Sequence, residues 1–228
     1  MIQPNCRARF TADDFAFVIR VLSTKPRDAV TLVELLTEEA IRDHILDHEG
    51  LIRAVLENPT NLTISPQFYF YVLARLVLKR AGVDDRNLAD YVAALLEHFT
   101  RTRQLDAPME NVQAAYLSDL LIALRNATPY QAFLLRTHIG NYALFVTGIF
   151  HSHVERRSRR GAPSCAFYED MGRRNFQAVA SHDVARRYEM SLLFEHLADR
   201  FHDCRVALNQ LAEELLDFGD SRHSPLFG

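Results

Sequence analysis

The stretch MSLLFEHLADRFHDCRVALNQLAEELLDF, residues 190–218, carries its large apolar side chains at Met190, Phe194, Leu197, Phe201, Cys204, Leu208, Leu211, Leu215 and Phe218. These positions advance by alternating steps of four and three. Only a coil of about 3.5–3.6 residues per turn gathers such positions on one side. The spacing predicts a heptad-patterned C-terminal helix of about 30 residues, roughly 45 Å long. Its seam must meet another helix, and the chain's length and supply of apolar residues favour a partner in the same chain over one in a second copy. Gly219 ends the pattern, and 221–228 reads as a tail.

Moving outward from that helix, the same punctuation recurs. Thr128-Pro129 joins an N-cap to a proline at the first helical position and launches a long apolar helix through Phe150. Gly140 and Gly148 lie inside it. Glycine there costs about 1 kcal/mol relative to alanine, so close approach of another backbone is expected at both. Ser65-Pro66 repeats the device and opens a helix to about Arg80 that is apolar nearly all round, hence central. Thr11, followed by Asp13 and Asp14, caps a first helix that Pro26 is expected to close. Between them, a break is expected at Gly50 and a stop at Asn58-Pro59. Gly82 stops the Ser65-Pro66 helix, Asp84 or Asp85 caps the next one, and another runs from about Pro108 to Arg125. A polar, arginine-rich turn is expected from His151 to Pro163, after which Ser164 caps a helix to about His182. The whole reads as all-α, a single multi-helix bundle over 1–220.

Composition narrows the function classes. In 228 residues, 48% are hydrophobic and 24% charged, which suits a packed core and excludes a disordered chain. The net charge of −3 provides no whole-chain attraction to nucleic acid or an anionic membrane, so any anion site must be local. Three scattered cysteines, Cys6, Cys165 and Cys204, make neither a disulfide framework nor a Cys-x-x-Cys metal site. A reducing, cytoplasmic setting is expected. The most apolar run, Ile139 to Phe150, is shorter than the roughly 20 residues needed to span a bilayer.

The run Gly140-Asn-Tyr-Ala-Leu-Phe-Val-Thr-Gly-Ile-Phe150, then Arg156-Arg157, then Tyr168-Glu169-Asp170-Met171-Gly172, resembles a group of uncharacterised bacterial helical proteins. The likeness covers roughly the C-terminal 90 residues. It implies a bacterial, cytosolic, all-helical protein and carries no activity with it. His151 stands where the group's pattern leads one to expect proline.

Three constellations bear on chemistry. His44 and His48 are spaced i, i+4 in the string Asp43-His-Ile-Leu-Asp-His-Glu49, so on one helix they would share a face and could hold a metal ion beside Glu49. A second set pools Glu189, Glu195, His196, His202 and Asp203 with His151 and His153, but the Glu-x-x-His motif of di-iron bundles is missing. The third is basic: Arg156, Arg157, Arg159, Arg160, Arg173, Arg174, Arg186 and Arg187, interleaved with Phe167, Tyr168, Phe176 and Tyr188, suits phosphate oxygens and stacked bases if it folds into one surface. Gly-x-Ser-x-Gly, Gly-x-x-x-x-Gly-Lys and Gly-x-Gly-x-x-Gly are all absent, and no cofactor is implied. Cys204 falls in the apolar seam. Cys165 falls at a helix N-terminus beside the arginine-rich turn, a setting that lowers a thiol's pKa.

The favoured expectation is a non-enzymatic helical protein acting through protein contact or homo-oligomerisation, motivated by the seam and the glycine-bearing helix. The alternatives are nucleic-acid or polyanion binding through the arginine region, and a metal-dependent enzyme or sensor built on His44 and His48.

Overall fold

A computed structural model describes residues 2–57, 63–101 and 109–220, and the side chains of these apart from 109–116 and 215–220. The expected stop at Asn58-Pro59, the tail 221–228 and the side chains of Leu215 and Phe218 lie outside that description. The described residues form helices and no strand. After a 3-10 turn at Arg7–Arg9 come α1 (Ala12–Leu22), α2 (Pro26–Thr37), α3 (Glu39–Leu46), α4 (Glu49–Glu57), α5 (Pro66–Arg80), α6 (Arg86–Arg101) and α7 (Met109–Arg125). Then follow α8 (Pro129–Ile149), α9 (His151–Ser158), α10 (Cys165–Ala180), α11 (Asp183–Arg187), α12 (Ser191–Asp199) and α13 (Phe201–Asp220).

Capping side chains start the helices where the sequence places them. Thr11 Oγ1 accepts the Asp14 N–H at 3.3 Å while the Asp14 carboxylate accepts the Thr11 N–H at 2.7 Å, closing a capping box. The same carboxylate, fully buried, accepts the Ser65 N–H at 2.6 Å and the Ser65 hydroxyl at 2.7 Å, so the start of α5 is tied to the start of α1. Ser65, Thr128 and Ser164 cap α5, α8 and α10 in turn. Pro26, expected to close the first helix, opens α2 instead. The Ser23 N–H already ends α1 on Ile19 O at 2.9 Å, and proline at N1 lacks only a donor that the first turn leaves free.

At the centre, α8 packs on α10 and α13, and α5 packs on α6 and α13. The contacts of α8 and α10 with their neighbours are close where glycines stand. A Cβ on Gly148 would lie 2.6 Å from Leu208 Cβ, and one on Gly140 would lie 2.6 Å from the Phe176 ring. At Gly172 a Cβ would collide with the Phe201 ring. The close approach expected at Gly148 is therefore to α13, whereas Gly140 receives an aromatic ring. A buried polar link crosses the centre from α6 to α8, Tyr91 Oη donating to Asn141 Oδ1 at 2.8 Å.

The C-terminal heptad seam is buried from Phe194 to Leu211, within the chain itself. It does not run along one 30-residue helix. At Arg200 (φ −101°, ψ 18°) α12 ends and α13 begins, because the two halves meet different neighbours, α12 on α10 and α6, α13 on α8 and α5. The bend falls beside Phe201, whose ring seats on Gly172.

Candidate functional site

Residues 151–158, expected as a turn, form α9, and this helical turn sets the site. On a helix, His151 and Glu155 stand one above the other at i, i+4, while Val154 is buried against the body. Gly161, at φ 90°, lets the chain reverse, and Ser164 Oγ accepts the Phe167 N–H at 3.2 Å to start α10 with Cys165 as its first residue. The reversal brings Cys165 Sγ to 3.3 Å from His151 Nδ1. Ligand atoms of His151, Glu155 and Cys165 all lie within 4.8 Å of one another.

From α13, Arg205 adds Nη1 at 3.4 Å from His151 Nδ1 and donates through Nε to Glu169 Oε2 at 3.1 Å. Glu169 lies one turn beyond Cys165 on α10 and also meets His202 Nδ1 at 3.1 Å. His151 and His202, pooled at the level of sequence, thus do reach one corner. His196 of the same set is elsewhere, 2.7 Å from Asp85.

The thiol does not behave as its position at a helix start suggests. Burial, then the hydrogen bond and charge of Glu155, push Cys165 up to about 12, and the opposing pull of Arg205 is smaller. An acid beside a desolvated thiol outweighs the helix terminus. So raised, the thiol keeps its proton at neutral pH and is not the activated nucleophile that its place at a helix start suggests.

The arginines divide into paired and unpaired groups. Arg174 pairs with Asp170 at 3.0 Å, and Arg186 pairs with Asp183. Arg156, Arg159, Arg160, Arg173 and Arg187 are exposed, and among the described residues no carboxylate pairs with them; Arg157 is half-buried. The run does not converge on one point. The 16 residues of α10 put about 24 Å between the turn holding Arg159 and Arg160 and the end near Arg186 and Arg187. Tyr168 and Phe176 are buried, whereas Phe167 is 48% and Tyr188 59% exposed. Phe167 is therefore the exposed ring next to the turn.

His44 and His48 do not share a helix. α3 ends at Leu46, Asp47 caps it at φ −85° and ψ 3°, and α4 begins at Glu49. His44 Nδ1 lies 2.8 Å from Ala40 O, and His48 Nδ1 accepts the Gly50 N–H at 3.0 Å. Both rings and Glu49 are exposed. The neighbouring acids, Asp43 and Asp47, turn inward. Asp43 meets Arg7 at 3.2 Å, and Asp47 meets Arg75 at 2.9 Å, Arg86 at 3.2 Å and Lys79 at 3.2 Å, which bolts α3 onto α5 and α6. Burial pushes Asp47 up, but hydrogen bonds from Arg75 and Lys79 overcome it and hold the carboxyl below its ordinary range. Among the described residues, the three-ligand group that the fold gathers is the one at His151, Glu155 and Cys165. Its local signal is the His-x-x-x-Glu spacing of His151 and Glu155, which a turn over 151–163 does not stack on one face.

A separate cleft of about 420 Å³ lies between the N-terminal segment and α6. Its buried carboxylate, Glu97, is already taken by Gln67, Arg9 and Arg101.

Fold and site together define an all-α multi-helix protein with a histidine, carboxylate and thiol cluster where two helices meet. No family model matches the chain, and neither a curated protein nor a solved structure matches it. Among the described residues, no helix is long and apolar enough to cross a membrane.

Proposed function

We propose that this chain acts by binding, and that it presents the corner of α9 and α10 to the phosphodiester backbone of a nucleic acid. One juxtaposition carries the reading: Arg156 in the last turn of α9 and Arg159 and Arg160 in the turn after it stand exposed without a carboxylate partner among the described residues, and the half-exposed ring of Phe167 lies in the first turn of α10 just beyond. Unpaired guanidinium groups match phosphate oxygens in a fork, and an exposed ring gives a base a face to stack on. The chain's net charge of −3 confines the attraction to this corner. The seam from Phe194 to Leu211 and the glycines at 140 and 148, which in sequence motivate protein contact or homo-oligomerisation, meet neighbours in the same chain.

The test is fluorescence anisotropy of a labelled single-stranded oligonucleotide with the full chain. Changing Arg156, Arg159 and Arg160 to Gln together should weaken binding at least about tenfold and lower the salt slope by about 2. Phe167→Ala should weaken it by roughly tenfold, the worth of one stacked base. Affinity that is indifferent to salt, or unchanged in the triple variant, removes the reading.

A second reading, contact with another protein or a second copy, draws support from α2. Val30 and Val33 lie one turn apart there and stand 63% and 53% exposed. Sedimentation over a concentration series should then show association that Val30→Asp with Val33→Asp abolishes. A strict monomer that captures no protein partner argues against it.

A further inference from the structure

We infer that His151, Glu155 and Cys165 form a binding site for one divalent transition-metal ion of the zinc class, with the fourth position left to solvent or a ligand. The inference is independent of nucleic-acid binding. Three donors converge from two helices: an imidazole and a carboxylate one turn apart on α9, and a thiol at the first position of α10. A tetrahedral ion with ordinary zinc–sulfur and zinc–nitrogen bonds sets its sulfur and nitrogen ligands about 3.6 Å apart. The Sγ to Nδ1 distance here is 3.3 Å. The remaining separations, within 4.8 Å, close as the flexible Glu155 chain rotates.

Donor chemistry selects the ion. Thiolate and imidazole favour zinc, cobalt and their neighbours over magnesium or calcium, which take oxygen. Charge agrees: the Glu155 carboxylate and the thiolate that Cys165 becomes on binding supply two negative charges for a dication to neutralise. As the sulfur–metal bond forms, the thiol proton passes to solvent. Arg205 now faces the same His151 nitrogen that the ion would take, and its hydrogen bond to Glu169 gives it an acceptor to retain when the ion enters.

The experiment uses the full chain, stripped with chelator and titrated with Co²⁺. One equivalent should bind, giving the visible bands of a tetrahedral ion and a thiolate-to-cobalt charge-transfer band, both removed by excess Zn²⁺. Cys165→Ser should abolish the charge-transfer band. His151→Ala and Glu155→Gln should each weaken binding more than about 100-fold, and Glu169→Gln by about tenfold. Circular dichroism checks that each variant keeps its helices. His44→Ala with His48→Ala should change nothing. No stoichiometric ion in the parent chain overturns the site, as does an undiminished charge-transfer band in Cys165→Ser. Should Cys165→Ser fail to fold, His151→Ala keeps the buried thiol, and parental affinity in that variant overturns the site equally.

Discussion

Glu189, just past the Tyr188 cap of α11, has φ 55°, a left-handed conformation that costs an L-residue about 1 kcal/mol and that glycine adopts freely. Two hydrogen bonds hold it there: Met190 N–H to Ala185 O at 2.8 Å and Glu189 N–H to Arg186 O at 3.2 Å, the double closure of a Schellman stop. Met190 and Ala185, which the motif brings together, are both buried. The same closure ends α5, with Gly82 at φ 77° in the equivalent place and Val83 N–H on Leu78 O at 2.8 Å. One stop therefore carries the residue suited to it and the other does not. Glu189→Gly should raise unfolding stability by about 0.5–1 kcal/mol, and Gly82→Ala should lower it by about as much. Urea titration of both variants against the parent measures the pair, and a Glu189→Gly chain that unfolds earlier would show that the glutamate side chain holds more than its backbone.

At the scale of elements, the sequence reveals long helices better than short ones, for a physical reason. The starts at Ser65-Pro66, Thr128-Pro129 and Ser164 are legible because a cap and the residue it serves are neighbours in the chain. α9 is not legible, because among its eight residues only Val154 is buried, and one apolar position establishes no period. The bend at Arg200 escapes for the opposite reason: α12 and α13 each keep the same side inward, so the steps of four and three pass through the bend unbroken while the neighbouring helices change. The break between α3 and α4, expected at Gly50, falls at Asp47, whose carboxylate is drawn to Arg75, Arg86 and Lys79 on other helices. The site divides likewise. Spacing of four within α9 and within α10 is local, but the meeting of His151 with Cys165 depends on the reversal at Gly161, and that of both with Arg205 on where α13 packs. Nor does adjacency in sequence separate Phe167, exposed, from Tyr168, buried, since only the packing of α10 decides which of the two faces the core.

Across the whole molecule, burial of ionisable groups makes the fold sensitive to alkali. Cys6 and Cys204 lie outside the cluster at α9 and are fully buried. Burial pushes each thiol from an ordinary 9.0 up to about 12, with help from Asp90 at Cys6 and from Asp203 at Cys204. Between these values the unfolded chain has given up protons that the folded chain retains. Linkage then requires stability to fall as pH rises from about 9, by about 1 kcal/mol per pH unit for each thiol. Tyr91, raised by its burial, extends the loss above pH 10. Below pH 9 neither thiol contributes, because both states hold the proton. Urea midpoints measured at pH 8, 9 and 10 should therefore decline with a slope that Cys204→Ala makes shallower and Cys6→Ala with Cys204→Ala makes shallower still, even though each alanine variant is somewhat less stable than the parent at pH 8. A decline of the same steepness in the double variant would mean that the thiols ionise inside the folded protein as they do in water, and that the core around Cys204 is not closed to solvent.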